Sequence, residues 1–177
     1  MDKCLSQASA RAARLIGFAA MGMFLTAAHP SSRDMTQTTA QSEQSGHPAH
    51  IDTTTPVGTV IAFHAALASG DTQAALALLT EDVMIFESGG VESSRAEYAE
   101  HHLEADAAFS AAVPRSLISR SHGEDGDAAW VMSVEIVTGT YRNRAINSRS
   151  VETMLLRRVE GQWRIVHIHW SSAEINR

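Results

Sequence analysis

Two histidines one residue apart, His167 and His169, interrupt the apolar run from Trp163 to Ser172. An imidazole titrates near neutrality, so each can act as general base, as donor to an anionic ligand or as metal ligand. In an unbroken strand, residues i and i+2 share a face, which would aim both histidines the same way as Trp163, Ile165 and Ser171. His169, nearer the strand end, is the catalytic candidate, and His167 a ligand-binding one. The competing reading has one histidine bonded to backbone or to Glu152 and the other at a sheet interface.

His101 and His102 form a second cluster, with Asp106 four residues beyond His102. That spacing places His102 and Asp106 on one helical face, where they can share a proton or a metal ion, or simply form a solvated pair. His101 is rotated about 100° away from His102, so one of the two is expected to face a pocket. Tyr98 and Phe109 fall on the same face as His102 and are candidate ligand contacts, as is His64 in the stripe Val60, Phe63, His64, Leu67. Glu87 alternates with Val83 and Ile85, and a carboxylate on an apolar strand face is desolvated toward useful acid–base behaviour. Glu135 raises the same question within Val131 to Val137, against an outer-face reading. His169, His102, Asp106 and Glu87 are thus the catalytic candidates, and His102, Asp106 and His169 the alternative metal set, whose N and O donors suit Zn²⁺ or Cu²⁺. Trp170 alternates with His169, which suggests a dimer interface instead of a pocket.

The elements that must position these residues are legible in outline. Thr55 and Pro56 open a helix that Gly70 ends, and Asp71 caps a short second one reaching about Thr80. Val83 to Phe86 reads as a strand broken by Ser88-Gly89-Gly90, and Ser94 opens a long helix that Pro114 terminates. Strands follow over 117–121, 128–141, 149–159 and 163–171, as a meander. Helices first and long antiparallel strands afterwards is an α+β order with three helices.

Upstream, Lys3, Arg11 and Arg14 precede an apolar run from Leu15 to Ala28 with small residues at its end, the pattern of a signal peptide over 1–28. The run is shorter than the roughly 20 apolar residues of a membrane span, so export to the periplasm or medium is expected, with no membrane association after cleavage. Residues 29–55, rich in Ser, Thr, Gln and His, read as a disordered linker. Cys4, the one cysteine, lies in the leader, which leaves the mature chain without thiol chemistry. A net charge of −6 without a basic cluster argues against nucleic acid as a partner. No Gly-rich phosphate loop or nucleophile elbow is present, and no cofactor is expected.

Two helices joined by Ser69-Gly70-Asp71, a strand after Glu81-Asp82, a third helix and long strands closing on Gly161-Gln162-Trp163-Arg164-Ile165 resemble the nuclear transport factor 2-like superfamily, nearest its SnoaL-like and ketosteroid-isomerase-like members. Ser150-x-Glu152-Thr153 and the terminal His-x-His-x-Ser are similar to the association domain of calcium/calmodulin-dependent kinase. The resemblance implies a cystatin-like cone over residues 56–177: a strongly bent antiparallel sheet wrapped around helices, a small-molecule pocket at its open end, and a homodimer through the sheet. Members range from isomerases, dehydratases and hydrolases to scaffolds without chemistry. Isomerase- or hydrolase-type acid–base chemistry, metal binding and non-catalytic ligand sensing or oligomerisation all remain open at this level.

Overall fold

The computed structural model describes residues 51–175; the expected leader (1–28) and the linker up to residue 50 lie outside them. Residues 51–55, assigned above to the linker, form a turn in which the Thr54 backbone N–H donates to Asp52 Oδ1 at 3.0 Å. Helix α1 (Pro56–Ser69) starts on Thr55, whose Oγ1 accepts from Gly58 N at 3.0 Å, and stops at Gly70, which adopts φ 74°. Helix α2 (Thr72–Ala77) follows at once, capped by Asp71.

Six strands form one sheet: β1 (Leu79–Glu87), β2 (Gly90–Glu92), β3 (Arg115–Asp125), β4 (Ala128–Tyr141), β5 (Arg144–Val159) and β6 (Gln162–Glu174), in the order β2-β1-β6-β5-β4-β3. The sheet is strongly curled without closing, and the architecture is α+β as expected. Two corrections apply to the topology. The sheet is mixed, because β1 runs parallel to β6 while every other pair is antiparallel. The last strand has its hairpin partner β5 on one edge, and its other edge takes β1 in the direction set by the preceding helices. The hairpin strand β2 also exceeds the sequence reading, and its Ser88-Gly89 turn has positive φ at both positions.

The single long helix expected between Ser94 and Pro114 is two, α3 (Arg95–His101) and α4 (Leu103–Ala112), which makes four helices instead of three. The break is His102, at φ −121°, whose imidazole is held by the Glu92 carboxylate on β2. Ladder bonds continue on both sides, from His102 N to Tyr98 O at 3.1 Å and from Asp106 N to His102 O at 2.9 Å, so the chain bends there without unravelling.

The core lies between α1, α3, α4 and the concave face, built from Val60, Phe63, Tyr98, Leu103, Val131, Met154, Ile165 and Ile168. Helix α4 ends in direct contact with β4: a Cβ on Gly139 would stand 2.6 Å from Ala112 O, so glycine is what allows this approach.

Candidate functional site

The concave side is set strand by strand. Burial alternates along β4 and β5, so that Val131, Ser133, Glu135 and Val137, and Ser150, Glu152, Met154 and Leu156, face inward. On β6 the alternation breaks. Leu155 pairs with His167 but Leu156 with Ile165, which leaves Val166 as an extra, bulged residue. Trp163 and Ile165 face inward before the bulge, Ile168 and Trp170 after it. A one-residue insertion reverses every later side chain. His167 and His169 therefore lie on the convex face, opposite to Trp163 and Ile165. This corrects the expected shared face and removes His169 and His167 from the pocket. His169 is exposed beside the Phe86 ring; His167 Nδ1 is 2.8 Å from Met84 O.

The same reversal turns Trp170 inward, against its expected interface role. An inward row then crosses five strands, from Glu87 on β1 through Trp170, Glu152 and Ser133 to Arg120 on β3. Within it, Trp170 Nε1 donates to Glu152 Oε2 at 2.7 Å, and His64 Nε2 makes an ion-pair contact with the same oxygen at 2.8 Å. Burial of Glu152 favours its neutral form, yet the His64 charge and the hydrogen bonds from His64 and Trp170 together hold its carboxyl below the usual range. His64 thus anchors α1 to the sheet and is not a pocket-lining residue, contrary to expectation.

In front of this row opens a cleft of about 200 Å³. Glu87, Asp106 and Arg115 supply its charges, Phe109, Val137, Ile146 and Trp170 its apolar walls, and Ser148, Ser150 and Ser172 a row of hydroxyls. Phe109, a candidate ligand contact in the sequence, lines the cleft. Glu135, for which the sequence left an outer-face reading open, is inward and buried; Arg115 Nη1 donates to it at 2.6 Å, and Arg120 lies 3.9 Å away. That pair holds Arg115 at the β3 edge of the cleft.

Asp106 enters from α4. Tyr98 Oη donates to its Oδ2 at 2.9 Å across the His102 break, and Tyr98 itself is fully buried, so it supports Asp106 from behind and does not line the cleft. Burial pushes the Asp106 carboxyl up, while the Tyr98 hydrogen bond, His102 and Arg115 pull it back; the net direction is upward. Glu87 is an exposed residue whose carboxyl is only partly desolvated by the cleft, and it is pushed up first by that desolvation and then by the charge of Asp106. Burial and Asp106 likewise raise the Tyr98 hydroxyl, which stays protonated as the donor. His102 does not pair with Asp106 as its spacing suggested. It binds Glu92, in an adjoining recess that shares Glu87 and Ser88 with the main cleft.

The alternative metal set is not assembled, since His169 is on the other face, and among the described residues no three His, Cys, Asp or Glu side chains converge as metal ligands. Arg115, Glu92 and Glu152 also belong to this neighbourhood, although the sequence reading gave no site role to any of the three. The available signal was the inward parity of Glu152 in its strand.

The SnoaL-like domain family matches residues 58–174. No curated protein matches the chain. Among solved structures, a protein of Shewanella frigidimarina provisionally assigned as a ketosteroid isomerase shares 34% identity over 68% of this chain and 97% of its own, with a TM-score of 0.64. The association domain of C. elegans calcium/calmodulin-dependent kinase II (21% identity, 65% and 91% coverage, TM-score 0.52) shares the fold. So does a nuclear transport factor 2-like, cystatin-like protein of Novosphingobium aromaticivorans (20%, 63% and 75%, 0.53).

Proposed function

The chain belongs to the SnoaL-like family, and on that premise we propose that it is an exported small-molecule enzyme of isomerase type that moves a proton within the cleft. The observation that carries this reading is the pair Glu87 and Asp106, two carboxylates in one partly apolar cleft, both raised by desolvation. The Tyr98 hydrogen bond favours the charged form of Asp106 alone, whereas His102 and Arg115 act on both carboxyls, and the charge of Asp106 pushes Glu87 further up; this asymmetry assigns the base role to Asp106 and the acid role to Glu87. Two roles follow from two environments. Asp106 takes a proton from carbon next to a carbonyl, Glu87 gives one to the carbonyl oxygen, and return of both protons with the first placed on a different carbon yields the isomer. Tyr98 positions Asp106, and His102 with Glu92 borders the acid end. The isomerase assignment of the Shewanella relative supports the reaction class.

The test is deuterium incorporation from D₂O into a panel of β,γ-unsaturated and saturated cyclic ketones, followed by proton NMR. Exchange faster than in buffer, reduced about 100-fold or more in Asp106→Asn, is expected from the usual size of general acid–base contributions. Rates equal to buffer across the panel, or unchanged in the variant, would refute the reading.

Export rests on Lys3, Arg11 and Arg14 ahead of the apolar run ending at Ala28; protein found in the cytoplasmic fraction with residues 1–28 still attached would contradict it. A homodimer through the convex face is part of the same proposal. Trp130, Met132, Val151, Leu155 and Met84 are exposed there. Four strands of 11 to 16 residues, at about 3.3 Å per residue and 4.8 Å between strands, offer on the order of 800 Å², what a stable interface needs per partner. The C. elegans relative, an association domain, agrees with assembly through this fold.

A further inference from the structure

The convex face carries its two imidazoles in an apolar setting. His169 is flanked by Phe86 on β1 and Thr153 on β5, and His167 by Met84 and Leu155. Phe86 lies edge-on to both rings, with centroids 4.9 Å and 6.2 Å away. Beyond them β4 presents Trp130, Met132, Val134 and Ile136, none of them ionisable, and Trp130 packs against Gly123 of β3, where a Cβ would meet its ring at 2.1 Å. The charged groups sharing this face stand toward its ends: Asp125 on β3, Arg149 and Arg157 on β5, Arg164 on β6 and Asp82 on β1. Asp82 is already 3.4 Å from Arg157, and Asp125 lies three strands away from β6, so no carboxylate adjoins either histidine on this face. His167 Nδ1 is occupied by the Met84 carbonyl, and its Nε2 is the nitrogen left for a proton.

A neutral imidazole can be covered by a second apolar surface at modest cost, whereas an imidazolium without a counter-ion cannot. Imidazole is also the side chain that changes charge between pH 5 and 8. From this juxtaposition we propose that His167 and His169 make the convex face a proton-gated self-association surface, whose partner is a second copy of this chain: closed when both imidazoles are neutral, released when they are charged. The inference rests on the dimer reading above. In an isologous contact each histidine occurs twice, so protonation acts on both copies at once and the dependence on pH is steep.

Sedimentation velocity on the purified protein at pH 8.0 and pH 5.5, at constant ionic strength, tests it. The dimer dissociation constant should rise by on the order of tenfold or more on acidification. The double variant His167→Gln/His169→Asn should flatten that dependence while remaining dimeric, and His169→Lys should weaken association already at pH 8.0. A dimer equally tight at both pH values, or a dependence that survives in the double variant, overturns the gate and leaves the dimer standing. A monomer at both pH values, with circular dichroism unchanged, overturns the dimer reading itself.

Discussion

Glu152 shows how one residue ties the cleft to the core. Its Oε2 receives both the Trp170 indole N–H and the His64 contact, with only 3% of the residue exposed. Removing one partner of such a buried pair strands the others, so Glu152→Ala should cost about 3–5 kcal/mol in urea denaturation. The pH dependence follows from the direction of its shift. A carboxyl held below its unfolded value of 4.5 contributes stability above that pH, and loses it as pH falls from there through the lower folded value. The stability difference between the wild type and Glu152→Gln should therefore shrink below pH 4.5; a difference constant between pH 7 and pH 3 would refute it. Of the side chains at the site, Glu87 was legible, because Val83 and Ile85 declare its face. Glu152 was not, because its partner His64 lies 88 positions earlier and spacing says nothing of a contact between a helix and a distant strand.

At the scale of elements, caps and turns were legible and interruptions were not. Thr55 and Asp71 mark helix starts through side-chain caps, and Gly70 a helix end through its left-handed backbone, all acting within four residues. The break at His102 and the bulge at Val166 depend on partners elsewhere, Glu92 on β2 and the register against β5. Val166 decides more than any other single backbone feature, since without it Trp170 would face outward and His169 would occupy the pocket side. Deleting Val166 should cost several kcal/mol, because either Trp163 and Ile165 or Ile168 and Trp170 must leave the core, at about 1.5–3 kcal/mol for each large side chain. Thermal denaturation of the deletion variant checks this. A melting temperature within a degree or two of wild type would mean the reversal is not imposed by that residue.

For the molecule as a whole, the family and the curled sheet were legible because the helix-first order and the closing strand motif are written in contiguous stretches of the sequence. The chemistry was not, because it arises where β1, α3, α4 and β3, far apart in sequence, bring Glu87, Tyr98, Asp106 and Arg115 together. The two faces of one sheet then divide the work proposed here, proton transfer on the concave side and association on the convex side. Both depend on the parity that the bulge sets. The central claim is that Glu87 and Asp106 form an acid–base pair of separated roles. Side-chain carboxyl NMR titration of uniformly ¹³C-labelled protein measures it most directly, with Glu87→Gln and Asp106→Asn used for assignment. Both carboxyls should titrate above the ordinary carboxylate range, Glu87 after Asp106, and Asp106→Asn should bring Glu87 down. Two independent titrations near pH 4, with Glu87 unmoved by Asp106→Asn, would contradict the account.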